Sequence, residues 1–229
     1  MFRIWTERSI PPVIQAGLIE KMQHIGTGSD TPDDPLQALP GAQAIIAGAA
    51  ILYNGAFMDG APELKVICRT GIGIDNINVQ DATERGIAIC NTPDGPTIST
   101  AEMAITLMLN TAKLVKHYHN AMRENPRQDF IANYQGLEVN GLTLGLIGLG
   151  RIGSRVASIA NAFGMVVYAY DPYITDERAD KIGIKRAPDL EWILSQADVV
   201  SLHLPLTPDT HHLMNADRFN LMKPGAVFI

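Results

Sequence analysis

Cysteine, excess basic charge and long apolar runs are all scarce in this sequence. The only cysteines among the 229 residues are Cys68 and Cys90. Both lie in apolar runs, so we expect buried, reduced thiols, as is typical of a cytoplasmic protein. Acidic residues outnumber basic ones by 24 to 18, the net charge is −6, and there is no basic tract with which to neutralise nucleic-acid phosphates. No apolar run approaches the ~18 residues of a membrane span, and the start lacks the features of a signal peptide. We therefore expect neither a nucleic-acid nor a membrane partner.

Short β-rich runs alternate with amphipathic runs, which predicts an α/β fold. The strands are nearly continuous in apolar character, as in parallel sheets that are covered on both faces. An early helical face takes in Val13, Ile14 and Met22, with His24 near the helix end. We predict strands over residues 2–5, 44–47, 65–69, 87–90, 142–147, 166–170, 199–202 and 226–229.

A rigid turn followed by a long helix separates the two halves of the chain. Residues 91–96 contain two prolines and a glycine, which block regular structure. Ser99 and Glu102 have the spacing of a capping box, and the helix should run to about Arg123 and end before Pro126. We therefore predict a first domain over residues 1–98, an interdomain helix over 99–125 and a second domain over 126–229.

The most informative motif is the glycine pattern Gly148-x-Gly150-x-x-Gly153, which follows a predicted strand and opens a predicted helix. Asp171 ends the next strand about 20 residues on, which is the spacing of a dinucleotide-binding fingerprint. Gly148 would permit the tight turn, Gly150 would let a pyrophosphate approach the backbone, and Gly153 would allow close packing. The alternative is a strand-to-helix turn in which the glycines occur by chance.

The same fingerprint predicts which dinucleotide is bound. The backbone N–H groups of Arg151 and Ile152 would point at the phosphates, helped by the helix dipole. The Asp171 carboxylate would accept hydrogen bonds from the adenosine ribose and would repel a 2′-phosphate. The sequence therefore predicts NAD in preference to NADP.

A second glycine cluster, Thr70-Gly71-Ile72-Gly73-Ile74-Asp75-Asn76, follows an earlier strand. Bare backbone N–H groups in such a loop suit a carboxylate. From the spacing alone, a plain tight turn is the favoured interpretation.

Taken together, these motifs resemble the D-isomer-specific 2-hydroxyacid dehydrogenase family. The resemblance begins near residue 42 and rests on an ordered series of segments: 65–67, 71–76, 91–93, 101–102, 148–153, 170–172 and 202–207. It implies a flavodoxin-like substrate domain beside an NAD-binding Rossmann domain, with the active site in the cleft between them. It also implies a homodimer that interconverts a 2-oxo acid and a D-2-hydroxy acid.

The resemblance also assigns site residues. Ile72 and Gly73 would bind the substrate carboxylate through their backbone. Leu204, Pro205 and Thr210 would line the adenine and ribose side of the NAD pocket. His203 would be a cofactor-pocket or structural histidine rather than the catalytic base.

The chain departs from the family pattern in two respects. The family's catalytic arginine, glutamate and histidine lie beyond the position that corresponds to Ile229, so we expect no catalytic residue, an incomplete NAD domain and no turnover in this chain by itself. Phosphoglycerate-specific members carry arginine and serine where Gly48 and Ala49 stand here, which argues against a phosphate-bearing substrate. The competing hypothesis is a non-catalytic NAD-binding sensor or scaffold module.

Overall fold

The structure, a computed structural model, describes residues 1–28 and 36–229. These residues form two compact units, Met1–Pro96 and Thr97–Ile229. Each unit is built on one five-stranded parallel sheet flanked by helices, so the predicted α/β class with two parallel sheets is confirmed. No helix in the described ranges has the length and apolar character needed to cross a membrane.

The first unit has a flavodoxin-like sheet with strand order β2-β1-β3-β4-β5, as the resemblance implied. Buried apolar side chains, among them Trp5, Ile45, Tyr53 and Ile67, form its core. The elements are β1 (Phe2–Thr6), α1 (Pro12–Ile19), β2 (Met22–Thr27), a 3-10 turn (Leu39–Gly41), β3 (Ala44–Ala47), α2 (Gly55–Asp59), β4 (Val66–Arg69), α3 (Val79–Glu84) and β5 (Ala88–Asn91).

The helical assignment of Met22 and the placement of His24 at a helix end were wrong. Both residues lie in β2, which pairs in parallel with β1, and Nε2 of His24 lies 3.1 Å from Oγ1 of Thr6. Hydrogen bonding to the neighbouring strand β1 decided the conformation of this segment. The helical spacing of apolar residues carries no information about such pairing.

The expectation that both cysteines are buried was also wrong. Cys68 in β4 is half-buried, whereas Cys90 in β5 is exposed. The two residues are opposite each other in the β4–β5 pair, and β5 forms one edge of the sheet. An edge strand leaves one side uncovered, so an apolar run there does not guarantee burial. Burial, followed by the nearby Cys90, raises the pKa of the Cys68 thiol.

The second unit has the strand order β10-β9-β6-β7-β8. Its helix α4 packs against α6, and the core includes Leu144, Leu146, Val156 and Ala157. The elements are α4 (Thr97–Ala112), α5 (Val115–Glu124), β6 (Thr143–Ile147), α6 (Arg151–Ala162), β7 (Val166–Tyr170), α7 (Asp176–Lys181), β8 (Lys185–Arg186), α8 (Leu190–Gln196), β9 (Val199–Leu202), α9 (Ala216–Leu221) and β10 (Val227–Phe228).

The single helix predicted to run from Ser99 to Arg123 is two helices. The chain breaks between α4 and α5 at Leu114, whose φ of 52° is left-handed. Helix α4 already begins at Thr97, so Ser99 lies within its first turn and is not the N-cap residue. The capping-box spacing therefore marked the right region but the wrong residue.

Candidate functional site

The second sheet changes direction between β6 and β9. From β6 the chain builds outward through β7 and β8, and it then returns to the other side of β6 to add β9 and β10. At such a switch point the connections leave the two strands in opposite directions, which opens a crevice at their carboxyl ends. The glycine turn follows β6, Asp171 follows β7 and His203 follows β9, so the topology brings these segments to one edge.

The three fingerprint glycines occupy different environments. Gly148 has a φ of +92°, and a Cβ atom there would lie 2.6 Å from the carbonyl oxygen of His203. A Cβ atom at Gly153 would overlap the carbonyl oxygen of Gly148. At Gly150, by contrast, nothing described lies within 4 Å of a Cβ position. Gly148 and Gly153 are therefore required by packing, whereas the space beside Gly150 is available to a ligand.

Helix α6 begins directly at this open space. Gly150 is its N-cap and has no side chain with which to cap the first turn, and the N–H of Ser154 donates to the Gly150 carbonyl oxygen at 3.0 Å. The first-turn N–H groups, which include those of Arg151 and Ile152, lie at the positive end of the helix dipole. This arrangement fits the pyrophosphate of a dinucleotide.

Asp171 is held against the glycine turn. Its Oδ2 accepts a hydrogen bond from the N–H of Leu149 at 2.7 Å, and its Oδ1 accepts one from the N–H of Tyr173 at 2.9 Å. Each carboxylate oxygen has a further lone pair to offer. The carboxylate is therefore oriented at the turn and can still accept hydrogen bonds from ribose hydroxyl groups.

His203 lies against the same turn as a neutral side chain. Its Nε2 is 2.9 Å from Oγ of the buried Ser201, and its backbone N–H donates to the Ile147 carbonyl oxygen. Burial lowers the pKa of His203 to about 4, so the imidazole is uncharged near pH 7. A histidine with that pKa is a poor general base at neutral pH, which agrees with the structural interpretation.

The other three residues predicted to line the NAD pocket lie in the loop after His203, and only one of them contacts the glycine turn. Leu204 approaches the turn, since its Cδ2 would lie 2.8 Å from a Cβ atom at Gly148. The Thr210 hydroxyl donates to the Pro205 carbonyl oxygen at 2.6 Å and so closes the loop. Pro205 is exposed. The structure thus brings Leu204 to the glycine turn and gives the Thr210 hydroxyl a partner within its own loop.

Ile72 and Gly73 lie in the first unit, in the loop after β4. The side-chain amide of Asn91 donates to the Ile72 carbonyl oxygen at 2.8 Å, and the N–H of Thr92 donates to the Gly71 carbonyl oxygen at 3.0 Å. The N–H groups of Ile72 and Gly73 donate to no acceptor within the described part of the chain. The loop is therefore held through its carbonyl groups, and its two central N–H groups are available to an anion.

Sequence reasoning missed two residues that support the glycine turn. The Arg178 guanidinium donates to the Leu149 carbonyl oxygen at 3.1 Å, and Ser201 holds His203 as described above. Arg178 lies on α7, 29 residues from Leu149 along the chain. No local pattern marks such a contact, because it depends on how α7 folds back over the sheet.

Comparison with known protein families and curated relatives agrees with this geometry. Residues 105–229 match the model of the D-isomer specific 2-hydroxyacid dehydrogenase NAD binding domain. A D-3-phosphoglycerate dehydrogenase of Synechocystis is 41% identical over 85% of this chain and 34% of the relative. One of Bacillus subtilis is 34% identical over 100% of this chain and 43% of the relative. The chain thus spans between a third and a half of the length of these curated relatives.

Solved structures extend the similarity to both units. A protein from Thermus thermophilus is 35% identical, with a TM-score of 0.87 over 99% of this chain and 72% of that one. D-lactate dehydrogenase from Aquifex aeolicus, complexed with NAD and lactic acid, is 30% identical, with a TM-score of 0.83 over 99% of this chain and 67% of that one. Because the family model covers more than half of the chain and the Thermus structure is alike over nearly all of it, this chain belongs to the D-isomer-specific 2-hydroxyacid dehydrogenase family.

Proposed function

We propose that the full-length protein is a cytoplasmic, NAD-dependent dehydrogenase that interconverts a 2-oxo acid and a D-2-hydroxy acid. The observation that carries this proposal is the convergence of the glycine turn, Asp171 and His203 at the switch point of a sheet that belongs to this family. Bound NAD would supply the hydride acceptor of the oxidation.

The described residues have two tasks in this reaction. In the second unit, the first turn of α6 would bind the pyrophosphate and Asp171 the adenosine ribose, while Leu204, Pro205 and Thr210 would form the neighbouring wall. In the first unit, the N–H groups of Ile72 and Gly73 would hold the substrate carboxylate. By this division each unit orients one of the two reactants.

A panel of 2-oxo acids assayed with the full-length protein tests this proposal. We expect NADH oxidation, followed by absorbance, with at least one of glyoxylate, pyruvate and hydroxypyruvate. NAD binding at micromolar affinity without turnover of any 2-oxo acid would instead favour the non-catalytic sensor or scaffold module.

The preference for NAD should depend on Asp171. We expect Asp171→Ala to weaken NAD binding and to narrow the preference over NADP by about tenfold or more, because the carboxylate both accepts ribose hydrogen bonds and repels a 2′-phosphate. Titration of both cofactors by calorimetry measures the two affinities. Asp176→Ala is the matched control, since that carboxylate pairs with Arg186 on the surface. Equal affinity of the unmutated protein for NAD and NADP would contradict the assignment.

We also propose a homodimer that forms chiefly through α4 and neighbouring segments. Several large apolar side chains on α4 and α5 are about half exposed: Ile98, Met103, Leu107, Val115 and Met122. Exposed apolar side chains concentrated on two consecutive helices are typical of an interface. We expect Leu107→Lys to shift the protein from dimer to monomer in light scattering at micromolar concentration. Val13→Lys, at a more exposed apolar position of the first unit, should leave the mass unchanged.

A further inference from the structure

The two cysteines of the first unit have no task in the function proposed above. Cys68 lies in β4 and Cys90 in β5, and both are free thiols. The two residues are directly opposite each other in the parallel register of these strands. Opposite residues of neighbouring strands have Cα atoms about 4.8 Å apart, which is within the range of about 4.4–6.8 Å that a disulfide spans. The backbone therefore places the two thiols within reach of a disulfide bond.

Both side chains lie on the same face of the first sheet. Successive residues of a strand point to alternate faces, and Ile67 and Ile89, which precede the cysteines, pack in the core of the first unit. Cys68 and Cys90 therefore lie on the other face, where Cys90 is exposed and Cys68 is half-buried. Burial raises the pKa of the Cys68 thiol, and Cys90 raises it further, so the two side chains interact. An exposed thiol beside a sheltered one is the arrangement of a reactive cysteine with a resolving partner.

The ends of the same two strands hold the loop assigned to the substrate carboxylate. Asn91, the residue after Cys90, donates its side-chain amide to the Ile72 carbonyl oxygen at 2.8 Å. The N–H of Thr92 donates to the Gly71 carbonyl oxygen at 3.0 Å. A change in the separation of β4 and β5 at the cysteines would therefore move the groups that position this loop.

We propose that Cys68 and Cys90 form an oxidisable thiol pair, a modification site that peroxide converts reversibly into a disulfide between β4 and β5. The exposed Cys90 thiolate attacks one peroxide oxygen, so an S–O bond forms, the O–O bond breaks and hydroxide leaves, to take up the proton that Cys90 released. The Cys68 sulfur then attacks the Cys90 sulfenic acid, so an S–S bond forms, the S–O bond breaks and the hydroxyl group leaves with the Cys68 proton as water. Two thiols are thereby oxidised by two electrons, and one peroxide is reduced to two water molecules.

The disulfide would weaken binding of the substrate carboxylate. The Cα atoms of a disulfide are most often about 5.5–6 Å apart, which is wider than the separation of about 4.8 Å between paired strands. Asn91 and Thr92 would move with Cys90, and the loop that they hold would lose its alignment. This consequence rests on the dehydrogenase function proposed above, whereas the thiol chemistry does not.

A peptide map of the full-length protein tests the thiol pair. Trypsin cleaves after lysine and arginine, so Cys68 falls in the peptide 66–69 and Cys90 in the peptide 86–113. After treatment with hydrogen peroxide, we expect these peptides to be joined, with a mass two hydrogen atoms below their sum, and to separate again with dithiothreitol. Cys90→Ser should abolish the joined peptide. Cys68→Ala should instead leave a Cys90 sulfenic acid that dimedone traps.

Steady-state kinetics test the effect on substrate binding. We expect oxidation to raise KM for the accepted 2-oxo acid by about tenfold or more, the scale of one hydrogen bond to a charged group, and to leave KM for NADH unchanged. Cys90→Ser should keep its KM under the same treatment.

The two measurements separate failure of this inference from failure of the proposed function. Absence of the joined peptide, or linkage of Cys68 or Cys90 to another cysteine, would overturn the thiol pair, whether or not a 2-oxo acid is reduced. The joined peptide would support the pair even in a protein without turnover. A joined peptide with unchanged KM would overturn the effect on the substrate loop.

Discussion

Replacing Gly150 with valine is expected to abolish NAD binding and to leave the second unit folded. A Cβ atom at this position meets nothing described within 4 Å, and the φ of −71° suits any L-residue. The free energy of unfolding should therefore fall by only about 1 kcal/mol, the scale of a poorer N-cap residue. The added side chain would occupy the space through which the pyrophosphate approaches the backbone. We expect a loss of NAD affinity of about 100-fold or more in calorimetric titration.

Gly153→Val is the matched control for that experiment. Its Cβ atom would overlap the Gly148 carbonyl oxygen, so the strand-to-helix junction must open to admit it. We expect a loss of about 3 kcal/mol or more in the free energy of unfolding, measured with urea and far-ultraviolet circular dichroism. If Gly150→Val keeps its NAD affinity, Gly150 has no role beyond the turn. If Gly150→Val loses as much free energy of unfolding as Gly153→Val, both glycines are required by packing at the turn.

The second large effect is a loss of stability in mild acid caused by His203. Its pKa is about 4 in the folded chain, against about 6.5 when unfolded, so between these values only the unfolded state binds the proton. The contribution of neutral His203 to the free energy of unfolding is therefore present in full above its unfolded pKa and is lost as the pH falls toward 4. We expect the decline to reach about 2 kcal/mol at pH 5 and about 3 kcal/mol at pH 4.

Urea unfolding of His203→Gln at pH 7.5, 6 and 5 isolates this contribution. The glutamine amide can keep the hydrogen bond to Ser201 but does not titrate. The difference between variant and parent in the free energy of unfolding should therefore change by about 2 kcal/mol between pH 7.5 and 5. His211→Gln removes an exposed histidine from the same loop and is the control for the loss of a histidine side chain. Parallel curves for His203→Gln and the parent would show that His203 titrates normally in the folded chain.

Most of the strands could be predicted because parallel strands carry their signal locally. Val166–Tyr170 and Val199–Leu202 begin and end in the structure where the pattern placed them. Each is a compact apolar run bounded by polar or turn residues. Two strands escaped prediction: β2 contains the polar segment Gln23-His24, and β8 is only two residues long. Both are outer strands, which need less apolar sequence.

The fingerprint site could likewise be anticipated because its parts are close in sequence. Gly148, Gly150 and Gly153 share one turn, and Asp171 ends the following strand, so a spacing of about 20 residues encodes their proximity. Glu7 carried a similar signal, an acidic residue directly after an apolar strand, but its partners lie more than 40 residues on and share no motif with it.

The sequence by itself therefore determined the α/β class, eight of the ten strands and the cofactor fingerprint, since these depend on short-range periodicity and spacing. Tertiary structure alone decided that β2 is a strand, that the chain bends at Leu114, that Cys90 is exposed and that His203 is neutral. It also decided that the Glu7 carboxylate accepts hydrogen bonds from the Gly48 and Ala50 N–H groups and the Tyr53 hydroxyl. Each of these depends on which distant segment lies alongside, and hydrogen bonding and burial by that neighbour outweigh the local preferences of the residues.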